Sequence, residues 1–156
     1  MKAARISARL PRRGSSLVEF ALVALQLSLV IFAGLEFGRM VLVYTNLCNA
    51  ARVGVRYAIV HGSERTGTGV NGPASSNDIC GVAGLGGATT NGVVADYAKA
   101  GLLNPKALSC TVSWPDGGLK TAGSRVQVTV TYPYDPFVVL PLRVRLGTTT
   151  EGIITF

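Results

Sequence analysis

The longest apolar run in the chain extends from Leu17 to Leu35 and is broken only by Glu19, Gln26 and Ser28. An α-helix rises about 1.5 Å per residue, so this run nearly spans the roughly 30 Å hydrocarbon core of a bilayer. The run is apolar on all sides, whereas a helix on the surface of a soluble protein carries a polar face. The pattern therefore predicts a membrane-spanning helix.

Beyond this run the helical pattern continues to about Val60 but becomes two-sided. One face is apolar and rich in small residues, which suits close packing against a sheet or another helix. The opposite face is polar and basic. The apolar face comprises Val43, Leu47, Ala50, Gly54 and Ala58, and the polar face comprises Thr45, Asn49, Arg52 and Arg56.

The last third of the chain changes to a period of two, which is typical of half-buried strands. Residues 108–114 and 126–132 alternate apolar and polar side chains, and the turn-forming residues Pro115 to Gly118 lie between them. We expect residues 132–136, Tyr-Pro-Tyr-Asp-Pro, to interrupt this pattern. Residues 137–140 and 144–156 are predicted to form two further strands.

Residues 61–92 are rich in Gly, Ser, Thr and Asn and are predicted to be loop, with a short helix following at about 92–100. Three or four antiparallel strands with one apolar face need a cover. The outer half of the long helix can supply it. The sequence therefore predicts an α+β fold in which a long N-terminal helix packs on a small antiparallel sheet.

Basic residues before the span predict its orientation. They are Lys2, Arg5, Arg9, Arg12 and Arg13, with no acid among them. Flanking cations tend to stay in the cytoplasm. We therefore expect a basic leader at 1–14, a long helix at 15–60 with the span at about 17–35, and an extracytoplasmic α+β domain at 61–156.

The net charge of +7 suggests a nucleic-acid partner at first sight. Five of the 15 basic residues lie in the leader, so the chain from Ser15 onward has 10 basic residues against 8 acids and a net charge of +2. No basic stripe with interleaved aromatic residues remains. Nucleic-acid binding is therefore excluded.

The leader meets the helix at Gly14-Ser15, and a cut here would leave the whole helix in the product. Glycine suits a protease cleft because its backbone can lie extended without a side-chain clash. A secretory signal peptide would have a shorter apolar core followed by small residues. Here the helical pattern continues instead, so cleavage after the apolar run is not expected.

The junction Gly14-Ser-Ser-Leu-Val-Glu19-Phe20 resembles the class III leader junction of type IV pilins and pseudopilins. With the later blocks Leu-Glu-Phe-Gly-Arg at 35–39 and Asn-Ala-Ala-Arg-Val-Gly-Val-Arg-Tyr-Ala at 49–58, the first third of the chain resembles the TadE-like family of pseudopilins. Phe20 stands where the type IVc processing motif usually has Tyr. The Pro that family members often carry midway through the first apolar block is missing at 24–26.

The resemblance implies a pilin-like lollipop fold and a role as a minor component of a tight-adherence (Flp, type IVc) pilus. Its implied partners are a prepilin peptidase that cuts after Gly14, other pilins and pseudopilins, the pilus assembly machinery and membrane lipid. It also implies a bacterial inner-membrane protein that crosses once, with its N-terminus in the cytoplasm. No catalytic residue and no cofactor are expected.

Glu19 has two compatible interpretations. Ser16 as N-cap with Glu19 three residues later would form a capping box at the helix start. A carboxylate near the membrane edge also needs a partner. A cut after Gly14 would make Glu19 the fifth residue of the product. The family resemblance implies that Glu19 then pairs with the N-terminal amine of a neighbouring subunit. Phe20 belongs to the same processing and assembly motif.

Two further features occur where the span ends. Gly34 and Gly38 form a Gly-x-x-x-Gly pair that would let two helices approach closely. Glu36 lies three positions before Arg39, a spacing at which side chains on a helix can form an ion pair.

The three cysteines, Cys48, Cys80 and Cys110, suit an oxidising compartment and allow three pairings. Cys80 and Cys110 are the candidate disulfide because they flank the loop and the short helix. Buried free thiols and a pair that uses Cys48 stay open. His61 is the only histidine, which leaves no histidine-based catalytic triad and no histidine cluster for a metal.

A second class of function also stays open. The chain could be a permanently anchored, single-pass envelope protein whose external domain binds a ligand. Processing separates the two classes, because a pseudopilin needs the cut after Gly14, whereas an anchored binding protein can keep its basic leader.

Overall fold

The computed structural model describes residues 13–63, 74–81, 92–136 and 144–155. Contacts within the chain divide it into two units, residues 1–37 and residues 38–156. One helix, α1, runs from Arg13 to Val60 and contributes to both units. The first unit contains its apolar N-terminal part, and the second contains its outer part together with the sheet.

The second unit holds the remaining regular elements. After α1 come two short helices, α2 (Ser76–Cys80) and α3 (Val93–Ala98), and two 3₁₀ turns, Lys99–Gly101 and Pro105–Ala107. They are followed by three strands, β1 (Ser109–Ser113), β2 (Arg125–Tyr134) and β3 (Val144–Ile153). The strands form an antiparallel sheet in the order β1-β2-β3. The predicted α+β class is therefore confirmed, with a long apolar helix and three described strands.

The helix begins earlier than the sequence indicates. Ser16 is not the N-cap, because α1 already includes Arg13. The expected capping box between Ser16 and Glu19 is therefore wrong for this chain, since the amide groups near Ser16 lie inside the helix.

The core forms where the outer part of α1 packs on one face of the sheet. Leu47 and Ala50 on the helix have no exposed surface, and Val126, Val128 and Val130 on β2 are equally buried. The predicted apolar face of the helix is therefore confirmed. The predicted polar face is exposed at all four of its positions, Thr45, Asn49, Arg52 and Arg56.

Small residues allow this packing to be close. A Cβ atom at Gly54 would lie well inside van der Waals contact with Val94 of α3 and would crowd Ile79 of α2. A Cβ atom at Gly152 of β3 would collide with Val55 of α1. Glycine at these positions lets α1 fit between the short helices and the sheet.

The second strand is longer than predicted. Pro133 was expected to interrupt it, but β2 continues through Pro133 to Tyr134, which is buried. β1 pairs with β2 only as far as Thr131, so among the described strands Pro133 has a partner on one side alone, Arg145 of β3. Proline is tolerated at a strand position where no hydrogen bond to a neighbouring strand needs its missing N–H group. The predicted strand at 137–140 lies outside the described residues.

A short helix was missed in the segment predicted to be loop. Ser75 caps α2 by accepting a hydrogen bond from the Asp78 amide, and the Asp78 carboxylate accepts one from the Ser75 amide. Five residues are too few to show a helical period. The Ser-x-x-Asp spacing is the sequence signal that marks such a start.

Candidate functional site

The predicted processing junction lies in the first turn of α1. Gly14 and Ser15 have helical backbone, and Glu19 and Phe20 follow on the same helix with exposed side chains. Within the part of the chain that the structure describes, no hydrogen bond or ion pair engages Glu19. A protease that binds an extended substrate must therefore unwind this turn, and Gly14 lowers the cost because glycine is a poor helix former.

The apolar run is exposed along nearly its whole length. Leu17, Phe20, Leu25, Leu29 and Leu35 each expose more than half of their side-chain surface. Among the described residues, one helix, Ser16–Val60, is long and apolar enough to cross a membrane. In water such a surface would be strongly unfavourable. The run therefore needs lipid or the apolar surface of another protein around it.

Gly34 and Gly38 lie on open parts of the helix surface. A Cβ atom built at either position would meet nothing within 4 Å. Neither glycine is therefore needed for packing within the described chain. The predicted role of this pair in helix packing stays a prediction, because only a second helix can test it.

Arg39 connects the helix to the end of the sheet. Its Nε donates a hydrogen bond to the hydroxyl of Tyr134 at 2.9 Å, and its Nη2 donates to the carbonyl of Asp135 at 2.7 Å. The guanidinium carbon also lies 4.8 Å from the centre of the Tyr134 ring. The helical spacing of Arg39 and Glu36 stays a prediction of an ion pair beside these contacts. No local spacing could reveal a partner 95 residues away.

A disulfide joins Cys80 at the end of α2 to Cys110 on β1, and their Cα atoms lie 5.5 Å apart. Of the pairings that the sequence allowed, this is the one present in the structure. Asp78 lies in the same short helix, and its bonds from Ser75 hold the pKa of its carboxyl below the usual range. The disulfide and the cap together fix α2 against the sheet.

The third cysteine lies on α1 and carries a free thiol. The Cys48 thiol is half-buried and lies 3.6 Å from the Thr148 hydroxyl of β3. A hydrogen bond with Cys48 raises the pKa of the Tyr44 hydroxyl, one turn earlier on the helix. Cys48 is therefore a small side chain packed between α1 and β3.

Charged and aromatic contacts stabilise the end of the sheet where β1 turns into β2. Arg125 forms a two-point ion pair with Asp116, and this guanidinium lowers the pKa of the Asp116 carboxyl. Lys120 lies over the Trp114 ring at 4.2 Å. It also donates a hydrogen bond to the Ala74 carbonyl. These contacts stabilise the turn after β1 and the residues that lead into α2.

The remaining chemistry-bearing residues do not form a reactive cluster within the described ranges. There, no group of three or more His, Cys, Asp or Glu side chains is placed to hold a metal ion. His61 stacks on Tyr57 with ring centres 4.0 Å apart, and its Nδ1 lies 2.9 Å from the Tyr57 carbonyl oxygen. These contacts are those of a histidine that ends a helix.

Comparison with known proteins finds a match for part of α1. Residues 14–56 match the family model described as TadE-like protein. No curated protein and no solved structure matches the chain. The matched segment starts at the Gly14 junction and lies within α1. The resemblance to the TadE-like family seen in the sequence is therefore confirmed over residues 14–56.

Proposed function

We propose that the chain is a minor pilin or pseudopilin of a tight-adherence (type IVc) pilus, cut by a prepilin peptidase after Gly14. The observation that carries this proposal is the family match over residues 14–56, which begins at the proposed cut. The exposed apolar surface of α1 supports a structural role in assembly. The protein acts in initiation, tip formation or assembly of the fibre.

The chemistry of assembly starts from the new N-terminus. A cut after Gly14 removes five basic residues and creates an α-amine on Ser15, which is largely protonated near neutral pH. Glu19 becomes the fifth residue of the product. Its carboxylate lies near the membrane edge, where an unpaired charge is costly. Pairing with the amine of a neighbouring subunit removes two unfavourable charges together.

The exposed apolar surface of α1 supplies the rest of the driving force. In the membrane this surface contacts lipid, and in a fibre it would contact the helices of other subunits. Lipid tails are as apolar as leucine, so the gain comes from close packing rather than from burial of apolar surface. Gly34 and Gly38 offer open positions where a second helix could approach. The basic leader keeps the N-terminus cytoplasmic, which leaves the sheet outside.

Substitution of Glu19 tests the assembly step. We expect a Glu19→Ala chain to be processed but to be lost from pili sheared off the cell surface, as measured by immunoblot of the pilus and membrane fractions. Glu36→Ala is the matched control, because it removes the other acid of the helix at the opposite end of the span. If Glu19→Ala chains reach the pilus fraction as wild-type chains do, the carboxylate has no role in assembly.

A further inference from the structure

The third strand, β3, forms one edge of the described sheet. All ten of its residues pair with β2, from Val144 opposite Tyr134 to Ile153 opposite Arg125. The strand order β1-β2-β3 leaves the other side of β3 without a partner among the described strands. An edge strand directs about half of its backbone N–H and C=O groups away from the sheet. These groups can pair with the backbone of another extended chain.

This edge lacks the features that usually prevent such pairing. Proteins protect an edge by a short strand, a bulge, a proline, a lysine or a charged side chain that points inward. β3 has ten residues without proline or lysine, and its register with β2 is continuous. Its side chains on the face towards the core are uncharged: Val144, Leu146, Thr148, Thr150 and Gly152. The edge is therefore regular and open to the addition of a strand.

Two charged residues lie on the solvent face of β3. Arg145 and Glu151 are both exposed and are six residues apart, which is about 20 Å along a strand. Arg145 lies opposite Pro133 of β2. Asp135 is two residues beyond Pro133, and within the described ranges no ion pair joins it or another acid to Arg145. The cation near the start of β3 is therefore available to a carboxylate of another chain.

Glu151 has a neutral partner on the neighbouring strand. Its carboxylate accepts a hydrogen bond from the side-chain amide of Gln127 at 2.7 Å. Arg125 is also attracted by Glu151, but its guanidinium pairs with Asp116 at two points. Within the described ranges Glu151 therefore forms no direct ion pair, and a cation of another chain can approach it from the open side of the strand.

We propose that the open edge of β3 binds an extended segment of a partner protein, which adds to the sheet as a further strand antiparallel to β3. The partner segment places an acid opposite Arg145 and a base opposite Glu151. Antiparallel pairs are slightly more stable than parallel ones, and opposite charges that face each other across two strands stabilise the pair. Read in its own direction, the partner segment carries the base first and the acid six residues later.

The direction of α1 decides between a partner protein and a second copy. β3 of a second copy would satisfy the same charge pattern. However, Cys48 lies beside Thr148 and Val55 lies beside Gly152, so the outer part of α1 runs in the same direction as β3. Two copies joined by antiparallel β3 strands would have these helices running in opposite directions. Copies that enter one membrane through this helix run the same way, so the choice of a different protein rests on the proposed function.

A synthetic peptide can test the edge. A fluorescein-labelled peptide with the sequence of β3, Val-Arg-Leu-Gly-Thr-Thr-Thr-Glu-Gly-Ile, has the required base and acid and no helix that fixes its direction. Its binding to the full chain in nonionic detergent is measured by fluorescence anisotropy. We expect saturable binding that Arg145→Glu weakens about fivefold, because an attractive pair is lost. A peptide whose Glu is replaced by Arg should restore binding to the Arg145→Glu chain.

Arg56→Glu is the matched control, because it makes the same change of charge at an exposed position of α1. It should leave peptide binding unchanged. Both variants replace exposed side chains, and an unchanged unfolding midpoint by Trp114 fluorescence shows that they are folded. If the peptide does not bind, or if Arg56→Glu weakens binding as much as Arg145→Glu, the proposed edge site is wrong.

Methylation of peptide nitrogens tests the backbone pairing. One peptide is N-methylated at every second residue, and another at the residues between. A strand bound along one side loses binding in only one of the two peptides, because only that side donates hydrogen bonds to β3. Equal binding of both peptides would show that side chains alone hold the peptide, which contradicts strand addition.

The occupant of the edge is tested by sedimentation of the full chain without peptide. We expect a monomer in detergent. A dimer that Arg145→Glu dissociates would make a second copy the occupant, and the proposed partner protein would be wrong. The cut after Gly14 is measured separately at the N-terminus. If that cut fails, peptide binding at β3 still stands, and only the argument against a second copy is lost.

Discussion

Removing the Cys80–Cys110 disulfide should destabilise the outer domain by an amount set by the length of the loop that it closes. The two cysteines are 30 residues apart in the sequence. In the loop-entropy model a loop of this length corresponds to about 3.6 kcal/mol at 25 °C, which is roughly a 400-fold change in the unfolding equilibrium. Small domains commonly have a total stability of about 5 to 15 kcal/mol, so this loss is a large part of the whole.

The assay uses the only tryptophan of the chain. Trp114 follows β1 and contacts Lys120, so its fluorescence reports on the sheet and not on the membrane span. Guanidinium unfolding of the full chain in nonionic detergent should show a lower midpoint for the Cys80→Ser/Cys110→Ser double variant than for wild type.

The free thiol provides the control for this experiment. Cys48→Ser removes a half-buried thiol without opening any loop, so its midpoint should remain close to that of wild type. If the double variant unfolds at the same denaturant concentration as Cys48→Ser, loop closure does not stabilise the domain. If the unreduced wild-type protein carries Cys80 and Cys110 as free thiols, the bridge itself is wrong.

Two further predictions concern stability. Gly54→Ala should lower the melting temperature, because the added methyl group crowds the stiff, buried side chain of Val94. This crowding costs about 1 to 3 kcal/mol, which exceeds the roughly 0.5 to 1 kcal/mol gained in helix propensity. The control Gly38→Ala should not lower the melting temperature, because its methyl group meets no neighbour. Asp116→Asn should destabilise the domain at neutral pH, and the difference from wild type should vanish as the pH falls. The sign follows because Arg125 lowers the pKa of Asp116 in the folded state, so its stabilisation is present above the unfolded pKa of about 3.9 and is lost on protonation. A difference in unfolding midpoint that persists in acid would contradict this cause.

Those parts of the fold that repeat a period over many residues could be predicted from the sequence. Apolar residues at every third or fourth position predict the buried face of the outer part of α1. The alternation of valine with polar residues predicts β2. The Cys80–Cys110 pair was among a small number of possibilities because the chain has three cysteines. Such periodic patterns predict structure because the apolar positions are the ones that are buried in the fold.

Features that depend on partners distant in sequence could not be predicted in this way. The contact of Arg39 with Tyr134 requires knowledge of where β2 ends, and local spacing can indicate only neighbours on the same helix, such as Glu36. β2 passes through Pro133 because β1 is too short to pair there, a property of the other strand. α2 is too short for a period and was visible only through its cap.

The central claim is that the chain is a substrate of a prepilin peptidase at the bond between Gly14 and Ser15. The most direct measurement is the N-terminal residue and intact mass of the protein from membranes of cells with and without that peptidase. The account predicts a chain that starts at Ser15 in the first case and keeps residues 1–14 in the second. If residues 1–14 persist in both, the chain is a permanently anchored membrane protein and the proposed assembly mechanism is wrong.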